Sequence, residues 1–226
     1  MLRFKFNMAL VPAVVLAVAA GRQGAALAAQ VTVTRHVPAF KAIELSGAMD
    51  LVVAPHGSGD VRLTGDKDAL AQVSTQVKEG TLYVSEQAHH RNFSLWHLFD
   101  LFHHHQRIRC EVTATRLTSI TSSGACNLDV RHLTGEAFSL EASGASNATL
   151  GGRIKHLSVE VSGVSNVDAR HLAAEQAVLD LSGASHVRVD ATRLLKVEAS
   201  GASDVSYLGK PKVVKDLSGA CRVQAE

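Results

Sequence analysis

Five acidic residues recur two positions before a serine: Glu141, Glu160, Asp180, Glu198 and Asp216. Their apolar neighbours alternate with them, so the acids share the outward side of a strand. A repeated carboxylate slot suits three kinds of chemistry. It can coordinate a hard divalent cation such as Ca²⁺, supply paired carboxylates around a glycosidic bond, or hold a basic partner. If the repeats stack at the spacing of neighbouring strands, about 4.8 Å, adjacent acids repel by about 0.8 kcal/mol in water. A nearby Lys or Arg, or a bound cation, relieves that cost. The bland reading of the same pattern is a solvated stripe that keeps a sheet soluble.

Two further slots repeat. One carries Asn127, Asn147, Asn166, His186, Asp204 and Arg222. Asn and Asp tolerate tight turns and bond to local backbone, and stacked Asn side chains form amide ladders. The other carries Cys126, Ser146, Ser165, Ser185, Ser203 and Cys221. No serine here sits in a Gly-x-Ser-x-Gly elbow or has its own base, so none is marked as a nucleophile. Cys110 precedes Cys126 by about one repeat, which makes that pair a disulfide candidate in an oxidising compartment. The odd number of cysteines leaves at least one thiol free.

What positions these slots is a short phrase that returns about every 18–20 residues, the period of one coil in a solenoid. It reads Ser123-Gly124-Ala125, Ser143-Gly144-Ala145, Ser162-Gly163-Val164, Ser182-Gly183-Ala184, Ser200-Gly201-Ala202 and Ser218-Gly219-Ala220. An isolated earlier copy is Ser46-Gly47-Ala48. Strand-like runs precede and follow each phrase, for example Val159-Glu160-Val161 and Val167-Asp168-Ala169. One such unit cannot bury its own apolar face, but stacked units can. The expected fold is all-β: a parallel β-helix with Ser-Gly corners. A Greek-key sandwich of short strands competes with it, but would not need the same corner each time.

With Phe40-Lys41-Ala42-Ile43-Glu44-Leu45-Ser46-Gly47-Ala48-Met49-Asp50-Leu51 upstream, the Gly-x-x-Asn/Asp-hydrophobic repeats resemble the head GIN domain family of autotransporter adhesin heads. The resemblance runs from about Val31 to Val223. It implies a right-handed β-helix shaped like the pectate lyases but lacking their catalytic residues, and a role in adhesion.

The N-terminus reads as a secretory leader. Arg3 and Lys5 precede an apolar run from Met8 to Ala20, and Ala26-Leu27-Ala28 is a cleavage pattern. Loss of residues 1–28 removes Arg3, Lys5 and Arg22 and no acid, leaving 20 basic against 21 acidic side chains. The basic balance therefore belongs to the leader and argues against nucleic-acid binding. Residues 29–226 form one domain: an opening β-rich subdomain at 29–88, an insert at 89–106 and regular coils at 107–226. In the opening part, 66–76 reads as a short helix capped by Asp66 or Asp68, and Glu79-Gly80 as a hairpin turn.

The insert concentrates aromatics in a chain otherwise poor in them. Phe93, Trp96, Phe99 and Phe102 recur every third residue, between His89-His90 and His103-His104-His105. They are candidates for contact with a partner, against the plainer reading of a segment folded onto the solenoid. The histidines lack the Cys or carboxylate set of a metal site.

These features point to an exported, non-catalytic module in the periplasm or on the outer surface of a bacterium. Its expected contact is a cell-envelope protein or glycan. No cofactor is expected beyond Ca²⁺ on the acidic column. A second copy packing on a solenoid end is a further expectation. The alternative function is a carbohydrate-active enzyme of lyase or glycosidase type on the same scaffold.

Overall fold

The computed structural model describes residues 16–17, 30–54, 59–86, 107–114 and 116–226. The chain folds as an all-β, right-handed parallel β-helix. Four long strands each wrap most of one coil: β10 (Asn127–Gly144), β11 (Asn147–Gly163), β12 (Asn166–Gly183) and β13 (His186–Gly201). They pair in parallel, each with the next. The last coil is β14 (Asp204–Leu208), β15 (Lys212–Gly219) and β16 (Arg222–Ala225). Parallel pairing in this order replaces the sandwich alternative.

Each coil has a leading arm that runs into Ser-Gly, a trailing arm after the corner, and a short third side. Period-2 alternation decides which residues enter the core. Ile120, Leu140, Val159, Leu179 and Val197 form one inward column of the leading arm, and Leu128, Ala148, Val167, Val187 and Val205 one of the trailing arm; all are buried. Burying side chains of this size contributes about 1.5–3 kcal/mol each for Val and Leu.

The corner explains the repeated phrase. Gly47, Gly124, Gly144, Gly163, Gly183, Gly201 and Gly219 all have φ between 88° and 118°. From Gly124 onward, a Cβ at each would drive into the carbonyl oxygen of the glycine one coil earlier. That carbonyl instead accepts a hydrogen bond from the residue after the next glycine, as in Ala145 N–H to Gly124 O at 2.9 Å. Glycine is therefore required twice, by the dihedral and by the close approach.

The upstream copy is not isolated. β3 (Ala42–Gly47) pairs with β9 (Ser119–Gly124), and β4 (Met49–Ala54) pairs with the start of β10, so Gly47 is register partner to Gly124. The intervening chain builds the first end of the solenoid. On the leading side, β7 (Thr81–Glu86) pairs with β3 and carries β6 (Val73–Lys78) as an antiparallel outer strand. On the trailing side, β8 (Ile108–Thr113) pairs with β4, and β5 (Asp60–Asp66) and β2 (Gln30–His36) follow antiparallel. A two-residue strand, β1 (Leu16–Ala17), lies beyond β2.

Two local expectations change. The helix predicted over 66–76 is one turn, α1 (Lys67–Ala71), and Asp66 at its N-cap makes no side-chain capping bond. The alternation of Val73, Thr75 and Val77 suits a strand, and β6 takes those residues. The predicted turn is present, with Glu79 at φ 50° and Gly80 at φ 77°, both left-handed as a two-residue hairpin turn needs.

The proposed disulfide is also corrected. Cys110, Cys126 and Cys221 are free. One coil of sequence does not place Cys110 beside Cys126, because β4 lies between β8 and β10. Two strand spacings, about 9–10 Å, exceed the Cα separation of about 7 Å that a disulfide spans.

Candidate functional site

The five acids stack on consecutive rungs. Glu141 pairs with Glu160, Glu160 with Asp180, Asp180 with Glu198, and Glu198 with Asp216. All five are exposed on the outer face of the leading arms. The column continues through Thr121 to Glu44. Glu44 was readable in principle, since it stands two residues before Ser46 as the others stand before their serines. Thr121 relieves the spacing and donates a hydrogen bond to Glu141 at 3.5 Å.

A second row runs beside the acids. Ser46, Ser123, Ser143, Ser162, Ser182, Ser200 and Ser218 occupy one register position, next to the corner. Two residues along an extended strand span about 6.6 Å. The face is thus a flat grid of hydroxyls and carboxylates, repeating every strand spacing.

Its charge is nearly unopposed. Among the described residues the ladder acids form one ion pair, Lys196 to Glu198 at 2.5 Å. The hydrogen bond to Glu198 raises the Lys196 ammonium above its ordinary value, and the field of Glu198, Asp180 and Asp216 adds to it. The trailing face is different. There Arg131 pairs with Asp129 at 2.8 Å, Arg170 with Asp168 at 2.7 Å, and Arg109 with Glu111 at 3.0 Å. The Arg170 hydrogen bond holds the Asp168 carboxyl below its ordinary value. One side of the solenoid is acidic and the other is neutralised.

Among the described residues no three His, Cys, Asp or Glu side chains come together as a metal site. Acids one rung apart on a flat sheet meet in pairs, so a cation there would take at most two side chains and fill its shell with water.

The other two slots lie at the corner. Asn127 donates to Asp50 at 2.7 Å and Asn147 to Asn127 at 3.1 Å, an amide ladder at the start of the stack. His186 Nδ1 lies 4.0 Å from Asp204. Ser146, Ser165, Ser185 and Ser203 are buried at the corner. Burial pushes the Cys110 thiol up to about 12 and raises Cys126 as well.

Grooves cut the solenoid among the described residues. One of about 780 Å³ lies over Leu117, Phe138 and Leu157 and holds Glu136. One of about 560 Å³ follows the Ser-Gly corners and holds Asp204. One of about 540 Å³ holds Glu175. Each contains a single carboxylate, and Glu136 and Glu175 are already paired with Lys155 and Arg193.

Phe93, Trp96, Phe99 and Phe102 lie outside the described residues. Their flanks are placed. Ser85 is register partner to Ser46, and Ile108 to Met49. Between β3 and β4 the corner is Ala48 alone, whereas residues 87–107 run between β7 and β8. The described strands on either side of that segment, β7 and β8, meet it at the Ser-Gly edge of their coil.

Residues 39–211 match the family described as "Putative auto-transporter adhesin, head GIN domain". No curated protein matches the chain. Among solved structures it is similar to a "putative adhesin" of Bacteroides fragilis, with TM-score 0.66 and 18% identity, over 87% of this chain and 97% of that one. It is also similar to a "putative adhesin" of Parabacteroides distasonis, with TM-score 0.49 and 16% identity, over 87% and 97% of the two chains. At these identities the first similarity shows the fold.

Proposed function

The chain belongs to the head GIN domain family described above, and on that premise we propose that it is an exported, non-catalytic β-helix module of the cell envelope that acts by adhesion. One observation carries the reading. Acids and serines repeat rung by rung along one exposed face of the solenoid, while each groove among the described residues holds a single carboxylate. A glycosidase needs two carboxyl groups around one bond, about 5–5.5 Å apart or about 6.5–9.5 Å apart. Neighbouring ladder acids are close enough, but they stand exposed on an open sheet with nothing to exclude water or hold a sugar ring.

The grid suits contact with a basic protein surface, or with an acidic glycan through bridging cations such as Ca²⁺. Repetition of the rung makes that contact multivalent. Phe93, Trp96, Phe99 and Phe102 form the second contact candidate, supported by the position of their flanks at the edge of the outermost coil. The leader at 1–28 supports export, with the mature chain starting at Ala29.

The test uses the chain from Ala29 onward with isolated cell-envelope fragments. Saturable binding is expected, with no turnover of acidic polysaccharides in a reducing-end assay. Deleting Asn92–Phe102 assigns the share of the aromatic segment. Absence of binding would remove the adhesive reading. Polysaccharide turnover lost in Glu160→Gln would replace it with the carbohydrate-active alternative.

A further inference from the structure

Among the described residues no strand or helix packs over the second end of the solenoid. β15 pairs only with β13, and β16 only with β14, so each leaves one edge unpaired. Val213, Leu217, Cys221 and Val223 pack against the core there but are only partly buried. Open parallel edges over an apolar core are a template for another chain's strand.

One residue departs from the stack at that edge. The inward column of the leading arm reads Ile43, Ile120, Leu140, Val159, Leu179, Val197 and then Lys215. The six residues before it are at most 1% exposed. Lys215 follows the same parity, between Val213 and Leu217, yet it is exposed, since among the described residues no strand pairs on the far side of β15. Its outward neighbour Asp216 keeps its place on the ladder, so the strand has not slipped in register.

We infer that Lys215 is an edge-blocking residue that keeps the last coil from accepting a strand of a second copy. A strand added to β15 in the register of the stack would cover Lys215 and bury an ammonium group against Val197 and Leu217. An unpaired charge in that position opposes the pairing, and an inward-pointing charge is a known way to protect a sheet edge. This inference is independent of what the exposed face binds.

The test is the solution mass of the chain from Ala29 onward, by light scattering over a concentration series. Lys215→Val completes the apolar column and is expected to at least double the mass at high concentration. Lys215→Glu keeps a charge in the same place and is expected to match wild type. Adding Val223→Lys to Lys215→Val restores a charge on the neighbouring inward column and is expected to reverse the association. The proposal is overturned if Lys215→Val has the same mass as wild type, or if Lys215→Glu associates as Lys215→Val does. Circular dichroism and urea unfolding of each variant confirm that the comparison is between folded chains.

Discussion

Gly47 and Gly124, far apart in sequence, are register partners in adjacent coils, and a side chain on Gly124 would collide with the Gly47 carbonyl. The described strands β5 to β8 between them build the first end of the solenoid before the chain returns to the stack. Gly124→Ala is expected to destabilise by about 3 kcal/mol, from a left-handed dihedral and a backbone clash together. Gly80→Ala, at φ 77° but with open space around it, is expected to cost about 1 kcal/mol. Urea unfolding of the two variants measures the difference, and equal losses would mean that the close approach of the corners does not matter.

The acidic ladder predicts opposite signs for two substitutions. Asp180→Asn removes repulsion from both neighbouring rungs, and is expected to stabilise by under about 0.5 kcal/mol at low salt. Lys196→Met removes the ladder's counter-charge and is expected to destabilise. Both effects should fade in molar salt. The check is urea midpoints at low and high ionic strength.

The ion pair of Arg170 and Asp168 predicts a pH dependence. Because the folded-state pKa of Asp168 is depressed, its contribution is present above the unfolded value, about 4, and is lost as pH falls through the folded value. Asp168→Asn is expected to cost under about 1 kcal/mol near pH 7, since both side chains are partly exposed. The gap between wild type and variant should be flat from about pH 5 to 8 and should close below about pH 4.

The cysteines predict a labelling pattern. With its thiol pushed up to about 12 by burial, Cys110 carries almost no thiolate at pH 8, and Cys126 is buried too. Cys221 is only partly buried. A chromogenic disulfide reagent should therefore titrate one thiol rapidly in the folded chain and all three in denaturant. A reductant should leave the unfolding midpoint unchanged, because there is no bridge to break.

Much of this was legible in the residues. The Ser-Gly period fixes the coil, and period-2 alternation puts Glu141 to Asp216 outside and Leu140 to Val197 inside. Long-range register was not legible. Ser46-Gly47 looked isolated because β5, α1, β6, β7 and β8 interrupt the period, and Glu44 was missed with it. Cys110 and Cys126 looked one coil apart because sequence spacing does not reveal that β4 returns between them. The stretch 66–76 mixes one helical turn with a strand, and only pairing with β7 decides where one ends. Lys215 reads as one more charged residue until the register sets it beneath Val197.

We propose that the acid and serine face is the contact surface. The most direct measurement is binding of the chain from Ala29 onward to cell-envelope fragments, comparing wild type with Glu160→Lys/Asp180→Lys at physiological salt. At least about a tenfold loss of affinity is expected for the reversed face, with the urea midpoint held within the range of surface substitutions. Undiminished binding by that variant, in a chain shown to be folded, would contradict it.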